Sequence, residues 1–205
     1  MANNDFIELD LPEAADLADL TGVRYDLDSA RNLARRLKKL LGSRQYDSEL
    51  VDALTTAILV RYSRSFVTGV RKRLKDDALG MLTDEQRKKH DQLRAWRDKH
   101  IAHSVNAFEE NRPVARYWVE RVRDEGFVSV ECNQTKVIGL GEADLDDVIE
   151  LTTTLLTYVD AHLATEKTRV LGIVRSMAIE ALFDAAPDRR DVIGNDIIDQ
   201  RRPRR

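Results

Sequence analysis

Residues 50–74 read LVDALTTAILVRYSRSFVTGVRKRL and carry the most regular apolar pattern of the chain. In this stretch an apolar side chain recurs at every fourth position, namely at Leu50, Leu54, Ile58, Tyr62, Phe66, Val70 and Leu74. Because an α-helix completes a turn in about 3.6 residues, this spacing places the apolar side chains on one face. The pattern therefore predicts a long helix that packs against a hydrophobic core.

Further helices are predicted on both sides of this segment. A helix from about Ser29 to Leu41 has two lysines in its last turn and a glycine directly after it, as helix ends commonly do. Thr83 and Gln86 have the spacing of a capping box, which predicts that a third helix starts there and runs to about residue 103. Its buried side is expected to include Leu93 and Trp96, and a last long helical region follows from about residue 144.

A different pattern separates the third helix from the last one. Between about residues 114 and 140, β-branched and aromatic residues alternate with polar ones, and turn residues interrupt the alternation, which predicts two or three short antiparallel strands. The predicted fold is mainly α: an antiparallel four- or five-helix bundle with a small antiparallel β insertion between the third and fourth long helices. The predicted organisation is an acidic N-terminal segment (1–28), a helical domain (29–186, with the β insertion at about 114–140) and a polar, basic C-terminal tail (187–205).

Composition excludes several classes of protein. The 205 residues are 42% hydrophobic and the net charge is −3, so a core can form and a strongly basic, histone-like protein is excluded. The single cysteine, Cys132, can form neither a disulfide within the chain nor a cysteine-based zinc site. The acidic N-terminal residues do not resemble a secretory signal, and no apolar run is long enough to span a bilayer. We therefore expect a cytoplasmic protein that does not enter a membrane.

Charge is distributed unevenly along the chain. Residues 61–100 contain twelve Lys and Arg against six Asp and Glu, so this stretch is +6 in a chain whose net charge is −3. A basic helix pair of this kind is typical of a local site for a polyanion such as RNA. It is also what simple solvation of Lys- and Arg-rich helix faces produces, and charge alone leaves both interpretations open.

Residues 93–104, LRAWRDKHIAHS, hold the side chains best suited to catalysis. An imidazole titrates near neutral pH and can act as a general base, whereas a guanidinium stays charged and can stabilise the charge that develops on a phosphorane. These two groups suffice for metal-free RNA cleavage by the ribose 2′-hydroxyl. Two histidines three residues apart are weak as a metal site without a third ligand, so no metal or other cofactor is expected.

The segment RDKHIAH, from Arg97 to His103, resembles the motif of HEPN domains (higher eukaryotes and prokaryotes nucleotide-binding), in which an arginine and a polar residue precede a histidine. Together with the upstream RYSRSF (61–66) and the β insertion, the chain looks most like the AbiU-type abortive-infection branch. The resemblance implies a helical bundle that dimerises so that two motifs face one cleft. Many such proteins are metal-independent endoribonucleases that act as toxins or phage-defence effectors, and others have lost catalysis and bind nucleotides or partner proteins.

The resemblance also assigns roles to residues. Arg97 corresponds to the cation that stabilises the phosphorane, His103 to the base, and Asp98 to the polar position that could orient the imidazole or simply face solvent. Helix geometry complicates this assignment, because at about 100° per residue His103 lies about 120° from Arg97 whereas His100 lies only about 60° from it. Either the helix frays before His103, or His100 contributes to catalysis.

RNA phosphates would bind to basic residues of the second and third helices, which we assign as Arg61, Arg64, Arg94 and Lys99. Solvation of the helix surface is the competing interpretation for Arg61 and Arg64. Val105 stands where some HEPN toxins carry a tyrosine, so regulation by AMP transfer to that position is not expected. The terminal RRPRR is interpreted as a solvated tail.

Three hypotheses follow for the function. The first is an endoribonuclease that leaves 2′,3′-cyclic phosphate and 5′-hydroxyl ends and has RNA, a second copy of the chain and an antitoxin or regulatory protein as partners. The alternative is a catalytically inactive HEPN-like module that binds a nucleotide or a protein. The third is a helical scaffold in which the motif is coincidental.

Overall fold

The computed structural model describes residue 7, residues 9–43, 47–67, 72–100 and 109–120, residue 123, and residues 126–136 and 139–185. These residues are mainly helical, with one small antiparallel sheet, which confirms that the fold is mainly α with a small antiparallel β element. After a 3-10 turn at Pro12–Ala14, the helices are α1 (Ala15–Leu41), α2 (Ser48–Arg64), α3 (Asp76–Leu79), α4 (Asp84–His100), α5 (Glu142–Ser176) and α6 (Ile179–Ala185). The strands are β1 (Glu109–Tyr117) and β2 (Phe127–Lys136).

Helix α1 starts at Ala15 rather than near Ser29, so residues 15–28 are part of a continuous helix. One face of α1 supplies core side chains along most of its length, and these are Val23, Leu27, Ala30, Ala34 and Leu37. Charged residues of α1 form ion pairs at the surface: Asp16 pairs with Lys72, and Arg24 pairs with Asp160 of α5 at 2.7 Å. The many carboxylates of residues 15–28 make the apolar face of this helix difficult to recognise in the sequence.

Helix α2 is shorter than its apolar repeat predicts. Its start is capped by Asp47, whose side chain accepts hydrogen bonds from two backbone N–H groups of the first turn. It ends at Arg64, and the backbone N–H of Leu74 then donates to the carbonyl of Ser65 at 2.8 Å. Leu74 is therefore buried because the chain returns to the end of α2, not because the helix continues.

The predicted start of the third helix is confirmed. The Thr83 backbone N–H donates to Gln86 Oε1 at 3.1 Å, and the Gln86 N–H donates to Thr83 Oγ1 at 3.2 Å, which is a capping box. Leu93 is buried and Trp96 packs against the core as a half-buried side chain, as expected. The capping box thus fixes the residue at which α4 begins.

The core lies around α1, which packs most extensively against α5 and then against α2. Helix α5 contributes an apolar face whose members are completely buried: Leu145, Val148, Leu151, Leu155 and Val159. Helix α4 packs against α2 and, to a smaller extent, against α5. The end of α2 thus meets the first half of α4, where Tyr62 contacts His90.

Strands β1 and β2 form an antiparallel hairpin that follows α4 and precedes α5 along the chain. The register pairs Glu109 with Lys136 and, past an irregularity at its closed end, Tyr117 with Phe127. The aromatic rings of this last pair meet edge to face, with centroids 5.9 Å apart. The large apolar side chains of the hairpin and its turn are exposed: Tyr117, Trp118, Val119, Phe127, Val128 and Val130.

One finding bears on membranes. In the part of the chain that the structure describes, no helix combines the length and the apolar character needed to cross a bilayer. The C-terminal tail (187–205), including RRPRR, lies outside the described residues, as does Val105.

Candidate functional site

Arg97 and Asp98 lie in the last turn of α4, where the Arg97 Nη1 and Asp98 Oδ1 atoms are 2.9 Å apart. Both side chains are at least partly exposed, so the guanidinium is accessible from solvent. Asp98 thus contacts the arginine beside it. His103 and the side chain of His100 lie outside the described residues, so the predicted base and its alternative have no observed position relative to Arg97.

The helical period of α4 aligns three polar side chains along one face. Arg94 follows His90 by four positions and Arg97 follows Arg94 by three, so all three project to the same side. Burial decreases along this line, from the buried His90 to the half-buried Arg94 and Arg97. Lys99 is exposed and lies about 200° around the helix from Arg97, on the opposite side.

His90 is buried in an aromatic cluster at the end of α2. Its Nδ1 atom lies 2.8 Å from the Tyr62 hydroxyl, and the Phe66 ring meets the imidazole edge to face at 4.5 Å. Burial is the main cause that lowers the pKa of His90 to about 4; nearby Asp91 opposes the shift and Arg94 adds to it. Burial also raises the pKa of Tyr62 far above its ordinary value.

The two pKa shifts define the protonation states of this pair. At neutral pH Tyr62 carries its proton and His90 is uncharged, so the phenol can donate to Nδ1 and the imidazole proton then resides on Nε2. His90 Nε2 is buried and has no hydrogen-bond partner among the described residues. Sequence reasoning overlooked His90, although its position one turn before Leu93 could have placed it on the buried side of α4.

Arg61 and Arg64 lie one turn apart at the end of α2, and both contact Asp26 of α1. Arg61 Nη1 donates to Asp26 Oδ1 at 2.9 Å, and Arg64 Nε lies 3.5 Å from Asp26 Oδ2. The Asp26 side chain is 1% exposed, whereas those of Arg61 and Arg64 are 35% and 53% exposed. A buried carboxylate needs such partners, and these partners still present part of each guanidinium to solvent.

Tyr25, the residue before Asp26, adds an aromatic ring to this cluster. The guanidinium carbon of Arg61 lies over the Tyr25 ring, 5.4 Å from its centroid. Neither Tyr25 nor Asp26 was singled out from the sequence. The available signal was that Asp26 occupies a position of the apolar face of α1, between Val23 and Leu27.

A second cluster lies outside the predicted site, in a cavity of about 230 Å³ between α1, α5 and residues 72–77. Here the Tyr158 hydroxyl donates to Asp77 Oδ2 at 2.5 Å, and the His162 ring packs on the Tyr158 ring at 4.0 Å. The hydrogen bond lowers the pKa of Asp77, and burial together with that bond raises the pKa of Tyr158 to about 12. The Tyr158 hydroxyl thus remains protonated at neutral pH. The nearby Lys72 Nζ is already held by the Asp16 carboxylate.

In the described ranges, no group of three or more His, Cys, Asp or Glu side chains is arranged to hold a metal ion. Comparison of the chain with protein-family models, with curated proteins and with solved structures gives no match.

Proposed function

We propose that the protein is a metal-independent endoribonuclease of the HEPN type, which acts in the cytoplasm as a toxin or abortive-infection effector. The observation that carries the proposal is Arg97, partly exposed at the end of α4 and followed by the D-x4-H sequence that ends at His103. The mainly helical fold and the half-buried Arg94 one turn earlier on the same face support it. In this proposal the helices form an antiparallel four- or five-helix bundle that carries the β hairpin as an insertion.

The proposed chemistry uses one base and one fixed cation. His103 takes the proton of a ribose 2′-hydroxyl, whose oxygen attacks the adjacent phosphorus. Arg97 stabilises the negative charge of the pentacovalent phosphorane. The bond to the 5′ oxygen then breaks, and that oxygen leaves with a proton from water. The products are a 2′,3′-cyclic phosphate and a 5′-hydroxyl end.

Because one arginine and one histidine surround only part of a phosphate, we propose that two copies of the chain supply the site together. Asp98 is a positioning residue for Arg97 in this arrangement, given the 2.9 Å contact between them. His100 remains the alternative base. An antitoxin or other regulatory protein would restrain the enzyme in the cell.

The same contact favours a second candidate function. The Asp98 carboxylate, 2.9 Å from the Arg97 guanidinium, offsets part of the positive charge that would stabilise a phosphorane. A catalytically inactive HEPN-like module that binds a nucleotide or a protein would tolerate this arrangement, whereas an active enzyme must exchange or share the contact.

The deciding experiment measures RNA cleavage by the purified full chain in excess EDTA. We expect cleavage of RNA but not of DNA or 2′-O-methyl RNA, with cyclic phosphate ends on the products. Arg97→Ala and His103→Ala should each reduce the rate by roughly 10²-fold or more. Lys88→Ala is the matched control, because it removes a positive charge from the opposite side of the same helix.

The same variants can be tested in cells. Expression of the wild type should arrest growth, and Arg97→Ala or His103→Ala should relieve the arrest while Lys88→Ala does not. Folded wild-type protein that leaves RNA intact, or 5′-phosphate ends on the products, would contradict the proposed reaction.

A further inference from the structure

Tyr25, Arg61 and Arg64 form an exposed patch, and the proposed cleavage chemistry leaves its aromatic ring without a role. Tyr25 is 62% exposed although its neighbours Val23 and Leu27 lie in the core. The Arg61 guanidinium covers part of the ring, and the exposed fraction leaves an aromatic surface open to solvent. An exposed aromatic ring beside two arginines is a combination that can bind both a base and a phosphate.

Asp26 determines how this patch is held. Its two carboxylate oxygens contact one arginine each, so a single buried anion orients two long side chains. The Arg61 and Arg64 side chains remain 35% and 53% exposed, so part of each guanidinium is still accessible from solvent. Holding the side chains in place before binding lowers the entropy cost of ordering them on a ligand.

We infer that this patch binds an unpaired nucleotide of single-stranded RNA, with the base stacked on Tyr25 and an adjacent phosphate bound by Arg61 and Arg64. The inference rests on the proposed function and deepens it by specifying the strand state of the substrate. Stacking on an aromatic side chain requires a base that is not already stacked in a helix. It is tolerant of sequence, because every base has a π face. Asp26 is the positioning residue of the patch.

The test measures binding without cleavage, by fluorescence anisotropy of the full chain with a 2′-O-methyl oligouridine of about 12 nucleotides. An abasic strand of the same length and charge serves as the second probe. We expect Tyr25→Ala to weaken binding of the oligouridine by roughly five- to tenfold and to leave binding of the abasic strand unchanged. Tyr25→Phe should bind as the wild type does, because it retains the ring.

Two controls separate stacking from other effects. Tyr25→Leu retains apolar bulk without a π system and should behave as Tyr25→Ala does. Tyr117→Ala removes another exposed tyrosine, in the hairpin, and should change neither affinity. Arg64→Gln should weaken binding of both probes and lower the slope of log affinity against log salt by about 0.7, the value for one phosphate contact on a single strand.

Failure of this inference is distinguishable from failure of the proposed function. If the enzyme cleaves RNA but Tyr25→Ala binds both probes as the wild type does, the inference alone is overturned. If Tyr25 contributes to oligouridine binding but no RNA is cleaved, the binding patch stands and the nuclease assignment falls. If the wild type binds the abasic strand and the oligouridine equally, stacking makes no contribution and the inference is wrong.

Discussion

Asp26 and His90 are ionisable side chains inside the core, and the protein compensates their burial in opposite ways. Asp26 is surrounded by charge, with Arg61 and Arg64 each contacting one carboxylate oxygen. His90 instead lies among aromatic rings, and burial keeps it uncharged. The Asp26 cluster leaves two partly exposed guanidiniums at the surface, whereas the burial of neutral His90 makes the stability of the fold depend on pH.

The neutral state of His90 predicts a loss of stability in acid. Its pKa is about 4 in the folded protein and near 6.5 in an unfolded chain, so between these values the unfolded chain binds more protons. The free energy of unfolding should therefore fall as the pH decreases from about 6.5 to about 4, by roughly 2–3 kcal/mol from this residue. Urea unfolding of the wild type and of His90→Phe at about pH 7 and about pH 4.5 measures the difference.

Tyr62→Phe provides the control for this measurement. Burial is the main cause of the lowered pKa of His90, so removing the hydroxyl should leave most of the pH dependence in place. Equal losses of stability in the wild type and His90→Phe would show that other groups, such as Asp77 with its own lowered pKa, account for acid sensitivity.

At the scale of elements, the connection from the hairpin into α5 depends on a close backbone approach. Gly139 has φ of +94°, and a Cβ placed on it would lie 2.6 Å from Val51 Cγ1 of α2. The next residue continues the contact, since the Leu140 backbone N–H donates to Thr55 Oγ1 at 3.1 Å. The two residues that lead into α5 are thus held directly against α2.

Gly139→Ala should therefore destabilise the protein by roughly 2–4 kcal/mol, from a left-handed backbone and a steric clash together. Gly126→Ala is the matched comparison, because its φ is +70° but a Cβ added there would meet no heavy atom of the described residues within 4 Å. It should cost only about 1 kcal/mol. Chemical unfolding measures both, and equal effects would contradict the role of the Val51 contact.

Elements could be predicted from the sequence where the deciding contacts are local. The capping box joins Thr83 to a residue three positions away, so its spacing was readable and the start of α4 is confirmed. The start of α1 could not be predicted, because its charged residues find their partners only after the chain folds: Arg24 pairs with Asp160 of α5, and Asp16 pairs with Lys72. The end of α2 depends in the same way on the return of Leu74 to Ser65.

In the candidate site, too, the local features could be predicted from the sequence and the long-range contacts could not. A spacing of one helical turn predicted that Arg61 and Arg64 lie together, and the structure places both on Asp26. Asp26 itself is separated from them by most of α1 and α2, so no local pattern links them. The role of His90 could not be predicted because its contact with Tyr62 forms only when α4 packs on α2.

For the whole molecule, packing partly offsets the basic character of residues 61–100. Lys72 pairs with Asp16 of α1, and Lys89 lies 2.7 Å from Asp147 of α5. Together with the Asp26 cluster, these contacts neutralise part of the charge that the sequence assigns to the stretch. The positive potential that remains to attract a polyanion is therefore concentrated at fewer side chains than the +6 count implies.

We expect the protein to be a homodimer at micromolar concentrations, because the proposed site needs two copies of the motif. Light scattering of the full chain during gel filtration measures its mass in solution. Arg97→Ala should remain dimeric, which would separate a loss of chemistry from a loss of assembly. A monomer across tens of micromolar would contradict the shared cleft.

The exposure of the hairpin has a consequence for how the protein can change over generations. Strands β1 and β2 pack chiefly on each other and contribute no side chain to the described core. Substitutions at the exposed Val128 or Val130 are therefore selected mainly for their effect on contacts with other molecules. Substitutions at the buried Leu151 are selected for their effect on the stability of the fold. The sequence of the hairpin can thus diverge toward a new binding partner while the packing of the helices is conserved.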